Sequence, residues 1–198
     1  SHNNDSPKIN IDTLHPFLLY SGACDPRKNV KSLLEAFSLL SEDYHKYKLV
    51  LCGKLLEQEK ELIGEWIDLF NINSNNIVQI GYVSDHELST LYRHCSLFVF
   101  PSLHEGFGLP VLEAMSCGAP VIASNRTSIP EVIGEDRAMF DPSNPDEIKL
   151  LIEKSLEDSE FIRFLHKNAA VQSEKFSWDK CATLAINACE QVVKNNSE

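Results

Sequence analysis

Short apolar runs recur along the chain, each closed by Gly, Ser or Pro. They are "PFLLYS" (16–21), "KLVLCG" (48–53), "NIVQIG" (76–81), "SLFVFPS" (96–102) and "APVIAS" (119–124). Runs of this length without polar alternation suit parallel strands buried on both faces. Between them the apolar positions take helical spacing, which predicts helices over 30–40, 58–70, 85–94 and 110–117. Asp85 is the expected N-cap of "HELSTLYRHC", since its side chain can accept a bond from an early helix amide. Strands alternating with helices predict an α/β fold, a Rossmann-like doubly wound parallel sheet. Residues 137–142 are a candidate last strand, and from about 144 to 193 the pattern is helical only.

Residues 1–12 are polar and patternless. The expectation is a leader over 1–15, disordered or left from cloning, followed by one domain over 16–198. No linker, repeat or low-complexity stretch divides that domain. With 198 residues and 43% hydrophobic content, the chain can bury a substantial core. Its net charge of −11, with no basic stripe, repels phosphate backbones and argues against nucleic acid as a partner. No apolar run approaches the roughly 18 residues of a membrane span, and no signal peptide leads the chain. Cys24, Cys52, Cys95, Cys117, Cys181 and Cys189 lack metal-ligand spacing, and most sit in apolar runs as small hydrophobes. The expected compartment is the cytosol.

In a doubly wound sheet, ligands sit at the carboxyl ends of the strands. Three loops fall there: "SGACDPRKN" (21–29), "GYVSD" (81–85) and "PSLHEGFGLP" (101–110). In the last, Pro110 suits the first helical position and Gly118 falls just past the helix end. The free amides near Gly106 to Leu109 then carry roughly half a positive charge, and the glycines let a phosphate approach the backbone. Glu105 and Glu113 flank this anion site. Spacing alone leaves two readings open for them. Glu113 could simply favour the helix dipole from the first turn and Glu105 be a solvated loop residue, or both could bind ligand.

The stretch "EGFGLPVLEAMSCGAPVIAS", followed by "SIPEVIG", resembles the donor-binding signature of family-4 (group 1) retaining glycosyltransferases. "YSGACDPRKNVKSLLEAF", "LVLCG" and "GYVSDHELSTLYRHCSLFVFPS" fall in the same family order, so the resemblance covers about residues 17–177. Members have the GT-B fold, two Rossmann-like domains around a cleft. The resemblance implies that this chain is the C-terminal, nucleotide-sugar-binding half, with the N-terminal acceptor domain absent and with it any peripheral membrane association. It also implies roles. Glu113 would bind the ribose hydroxyls, Glu105 the transferred sugar, and the amides of Gly106, Phe107, Gly108 and Leu109 the diphosphate. Lys28 would supply the cation for the leaving diphosphate, with Gly22 beside it, and the Val83 backbone would meet the base. The two carboxylates are then not an acid–base pair of the glycosidase kind.

Many members carry an arginine after the strand-one glycine, where this chain has Ala23; Arg27 is a candidate substitute, though a solvated loop arginine is the plainer reading. His104 reads as a solvated loop residue, and Trp66 and Trp178 as core. No cofactor or metal is expected, since no Asp-x-Asp pair or His cluster occurs. The implied activity is a retaining sugar transfer from a nucleotide-diphosphate sugar in bacterial polysaccharide or lipopolysaccharide synthesis. The "PRKN" form favours a mannosyltransferase using GDP-mannose. A nucleotide-sugar epimerase of the same fold and a binding module without chemistry remain alternatives.

Overall fold

The strands are β1 (Phe17–Ser21), β2 (Lys48–Cys52), β3 (Ile77–Gly81), β4 (Leu97–Phe100), β5 (Val121–Ser124) and β6 (Met139–Phe140), in a computed structural model that describes residues 10–195. They form a 6-stranded sheet of order β3-β2-β1-β4-β5-β6, and every pairing is parallel. Around it lie α1 (Ile11–Leu14), α2 (Val30–Ser38), α3 (Glu57–Leu69), α4 (Asp85–His94) and α5 (Leu109–Ser116). They are followed by α6 (Ile129–Ile133), α7 (Pro145–Glu157), α8 (Ser159–Ser173) and α9 (Trp178–Asn195). The doubly wound sheet read from the apolar runs is thus the observed one, with the candidate last strand present as β6.

The reason is the burial. Phe17, Leu18 and Leu19 of β1 and Phe98, Val99 and Phe100 of β4 are each 0% exposed, so neither face of these strands meets water. Each such side chain contributes roughly 1.5–3 kcal/mol relative to exposure, which strands with a solvated face would forgo. Helices α2 and α7 pack together, as do α5 and α8. The chain runs outward from β1 to β2 and β3, then returns to pair β4 with β1 in the register Leu18↔Leu97 and Leu19↔Phe98. The order reverses at that pair, which opens the crevice where such sheets take ligands.

Beside it the strand ends approach closely. Gly22 N donates to Cys52 O (2.8 Å) and Gly53 N to Gly81 O (2.9 Å). Gly53 has φ +147°, and a Cβ there would fall 2.1 Å from Gly22 O. Only glycine fits.

Element boundaries bring corrections. The N-cap of α4 is Ser84, not Asp85: its hydroxyl accepts from Glu87 N while Ser84 N donates to the Glu87 carboxylate. That is a capping box, and Asp85 is the first helical residue. Helix α5 begins at Leu109 with Gly108 as its cap, so Pro110 is its second residue and Glu113 lies past the first turn. The proposed leader lies partly outside the described residues. From Asn10 the chain is ordered, with Leu14 packed into the core at 7% exposure.

Candidate functional site

The site is built from the loops that follow β1 and β4. After β1, Asp25 caps a short 3-10 turn (Pro26–Lys28) by accepting from Arg27 N at 2.9 Å, which sets the direction of Lys28. Asn29 then adopts a left-handed conformation (φ 56°). Its Nδ2 donates to Pro101 O (3.2 Å) and Pro142 O (2.7 Å), while Ser32 Oγ donates to its Oδ1 (2.8 Å). One amide side chain thereby joins the loops after β1, β4 and β6.

Lys28 Nζ donates to Glu105 Oε1 at 2.7 Å, with the two side chains 20% and 12% exposed. The ammonium also lies 5.6 Å from the centre of the Phe100 ring. The hydroxyl of Ser102, itself 0% exposed, is 2.7 Å from the same Oε1. Leu103 N donates to Arg27 O at 2.7 Å, closing the crevice with a main-chain bond. From the loop after β5, Thr127 Oγ1 accepts from Glu105 N and Ser128 Oγ donates to Glu105 O, both at 3.0 Å. The backbone of Glu105 is therefore fixed on both sides. Among the described contacts no hydrogen bond reaches its Oε2.

The glycine loop divides its glycines by task. Gly108 has φ +102°, and a Cβ would meet Ile129 Cδ1 at 2.6 Å, so this glycine is required by packing. A Cβ on Gly106 would meet nothing within 4 Å, so this glycine leaves open space. Glu105 N is occupied, whereas the amides of Gly106, Phe107, Gly108 and Leu109 donate to no group among the described residues. The next residue, Pro110, has no N–H. A run of free amides at a helix start is an anion site by geometry and by dipole.

Beyond the loop, α4, α5 and the start of α9 enclose a cavity of about 740 Å³. Asp85, Tyr92, Phe107, Leu109, Glu113 and Trp178 are among its walls. Phe107 is held edge-on to Phe176, with ring centres 5.5 Å apart. Glu113 is exposed, and its carboxyl is shifted up. Desolvation by the apolar wall is the main cause; the nearby Tyr92 hydroxyl opposes it and Asp85 adds to it. Tyr92 is 2% exposed, and its hydroxyl has no partner in hydrogen-bonding geometry.

The predicted residues thus fall into two groups on either side of the loop. Lys28 and Glu105 are together; Glu113, Phe107 and Leu109 line the cavity. Val83 is 8% exposed at its edge of the sheet, while its neighbour Tyr82 is 72% exposed. Arg27 is not brought to Lys28: its guanidinium pairs with Asp25 at 3.1 Å and its side chain is 69% exposed. Ala23 offers its carbonyl to the Tyr20 hydroxyl at 2.6 Å. His104 is exposed and Trp66 is packed against the core, as read. Trp178 corrects the core reading, being 81% exposed.

Ser102, Thr127, Ser128, Asn29 and Tyr92 escaped the sequence reading. For Asn29 the signal was present in "PRKN", but its partners lie 72 and 113 positions away. Burial pushes the thiols of Cys24 and Cys52 up to about 11, in keeping with their reading as small hydrophobes. Among the described residues no cluster of His, Cys, Asp or Glu could hold a metal ion, and no helix is long and apolar enough to cross a membrane.

The chain has relatives among known proteins and solved structures. The chain is 43% identical over 183 residues to the serotype-specific mannosyltransferase WbdA of Escherichia coli, covering 92% of this chain and 22% of that protein. It is 40% identical to the O-antigen chain mannosyltransferase B of Escherichia coli, covering 87% of this chain and 45% of the relative. The chain therefore spans less than half the length of these relatives. Among solved structures, sucrose-phosphate synthase from Thermosynechococcus elongatus superposes with a TM-score of 0.80 at 25% identity, covering 94% of this chain and 47% of that one. Residues 1–175 match the family "Glycosyl transferases group 1", and the chain belongs to it.

Proposed function

We propose that this chain is the donor-binding domain of a retaining glycosyltransferase that uses a nucleotide-diphosphate sugar, GDP-mannose being the favoured donor. The observation that carries this reading is the run of free amides from Gly106 to Leu109, flanked by the Lys28–Glu105 pair and by Glu113. The diphosphate would lie on those amides. Glu113 would accept from the ribose hydroxyls, and Glu105 would accept from the sugar through its unoccupied Oε2. Lys28 would turn from Glu105 to the leaving phosphate. A full charge about 4 Å from a phosphate oxygen is worth about 4 kcal/mol at an effective dielectric near 20. It acts most strongly as the glycosidic bond breaks and negative charge grows on that oxygen. The acceptor would attack from the leaving-group side through an oxocarbenium-like state, with no metal taking part.

Mannose is favoured because the named relatives are mannosyltransferases, one of them of O-antigen chains. By the same analogy the work is bacterial polysaccharide synthesis, and the cytosol is the compartment expected from the sequence. The acceptor site would belong to a second domain, so this chain alone should bind donor without transferring sugar. A thermal-shift screen of GDP, UDP and ADP sugars, followed by product analysis with donor and acceptor, tests the reading. Stabilisation by a nucleotide sugar with the donor left unchanged supports it. Epimerised donor points to the epimerase alternative, turnover by this chain alone overturns the need for a second domain, and no binding overturns the reading.

A further inference from the structure

Buried hydroxyls in folded proteins are almost always hydrogen-bonded, so an exception calls for an explanation. Among the described residues the Tyr92 hydroxyl is the exception. It is held where it is by packing: the Tyr92 ring stands edge-on to Phe98, 5.2 Å between centres, and α4 cannot release it without opening the core. Tyr92 lines the cavity together with Glu113, whose own carboxylate is exposed and makes no protein hydrogen bond among the described residues. The Tyr92 hydroxyl thus lies beside the Glu113 carboxylate and the Ser21 hydroxyl without bonding either in good geometry.

We propose that Tyr92 is a positioning residue for Glu113, its hydroxyl donating to the carboxylate once a nucleotide ribose occupies the other oxygen. This rests on the donor-domain reading and deepens it. In the free chain Glu113 is exposed at the cavity wall and the Tyr92 hydroxyl has no partner in hydrogen-bonding geometry. When ribose hydroxyls arrive, the carboxylate is drawn in, water leaves, and the bond to Tyr92 fixes one rotamer. Both the ribose and the tyrosine gain a partner in the same movement. The lowering influence of Tyr92 on the Glu113 carboxyl is consistent with their proximity. The hydroxyl itself is too deep to touch the nucleotide, so it acts through Glu113.

The arrangement has a signature that a purely structural tyrosine lacks. Tyr92→Phe keeps the ring and its packing and deletes only an unpaired polar group, so the melting temperature of the free chain should hold or rise. Nucleotide binding should nevertheless weaken about tenfold, as for a hydrogen bond to a charged group. Titration of the 198-residue chain with GDP and UDP, each beside its 2′,3′-dideoxy analogue, provides the test. Wild type should prefer the ribose form, and Tyr92→Phe should lose that preference while binding the dideoxy form within about twofold of wild type. A lowered melting temperature with equal loss for both forms assigns Tyr92 to the fold and overturns the proposal. Wild-type affinity in Tyr92→Phe overturns it as well. A wild-type chain that binds neither nucleotide fails the donor-domain reading itself, and this inference with it.

Discussion

Lys28 and Glu105, 77 positions apart in the chain, meet at 2.7 Å across the crevice between the loops of β1 and β4. The residues proposed to hold opposite parts of a donor thus hold each other in the free chain. On the proposed reading, a diphosphate would replace the Glu105 carboxylate as the partner of Lys28. In the free chain Ser102 Oγ also lies 2.7 Å from Glu105 Oε1, a second donor within reach of the carboxylate.

The pair predicts asymmetric effects of mutation. Lys28→Ala leaves Glu105 as a largely buried carboxylate with one hydroxyl partner and should lower stability by about 1–3 kcal/mol. It should also weaken GDP and GDP-mannose alike. Glu105→Ala frees Lys28, so GDP should bind at least as tightly as in wild type while the preference for GDP-mannose disappears. Calorimetry with both ligands gives the affinities to compare, and equal losses for both ligands in both variants would refute the division.

The loop glycines should separate stability from binding. Gly108→Ala forces a side chain at φ +102° into Ile129, and should cost about 1–3 kcal/mol in denaturant unfolding. Gly106→Ala enters open space and should unfold like wild type, yet weaken GDP by crowding the phosphate. Should Gly106→Ala bind GDP normally, the anion does not lie against that residue.

Asn29→Ala removes donors to Pro101 O and Pro142 O and requires alanine to keep a left-handed backbone. A loss of about 2–3 kcal/mol is expected, since burial of unmet carbonyls adds to backbone strain. GDP affinity should fall with it because Lys28 is the neighbouring residue. Urea unfolding with m unchanged would show that the loss is one of native contacts.

The raised Glu113 carboxyl fixes the sign of a pH effect. A carboxyl raised in the folded chain opposes folding when ionised, so its contribution to stability improves as pH falls through its folded pKa. Ligand binding runs the other way: the protonated form loses acceptors for the ribose, so affinity should begin to fall at a higher pH than for an ordinary glutamate. GDP titrations from pH 7 downward should show this component in wild type and not in Glu113→Gln. A profile identical in the two proteins would leave Glu113 without a ribose role.

Strands were legible because burial on both faces leaves uninterrupted apolar runs, as in "KLVLCG" for β2. The alternation predicted a doubly wound parallel sheet, while which strands pair was not read from the sequence. Helix starts were harder. Ser84 and Glu87 carried the capping-box spacing, which outweighs an isolated aspartate. At α5 the left-handed Gly108 took the cap and moved Glu113 one residue deeper than a proline-first reading allowed. The Lys28–Glu105 bond was beyond reach, since each residue was assigned to ligand and nothing in their spacing pairs them. Trp178 misled because periodicity shows which side of a helix is apolar, not whether anything in the chain covers it.

The free amides of Gly106 to Leu109 carry a last consequence. Groups of the main chain survive the truncation of a side chain, so alanine at Phe107 or Leu109 would leave the proposed phosphate hold in place, and at Gly106 it would report crowding and not the lost donor. Nor do they titrate, so any pH dependence of the hold comes from the phosphate or from neighbouring side chains. Replacing a single amide of the loop by an ester, through semisynthesis, would expose it: the side chains stay and only the donor is lost.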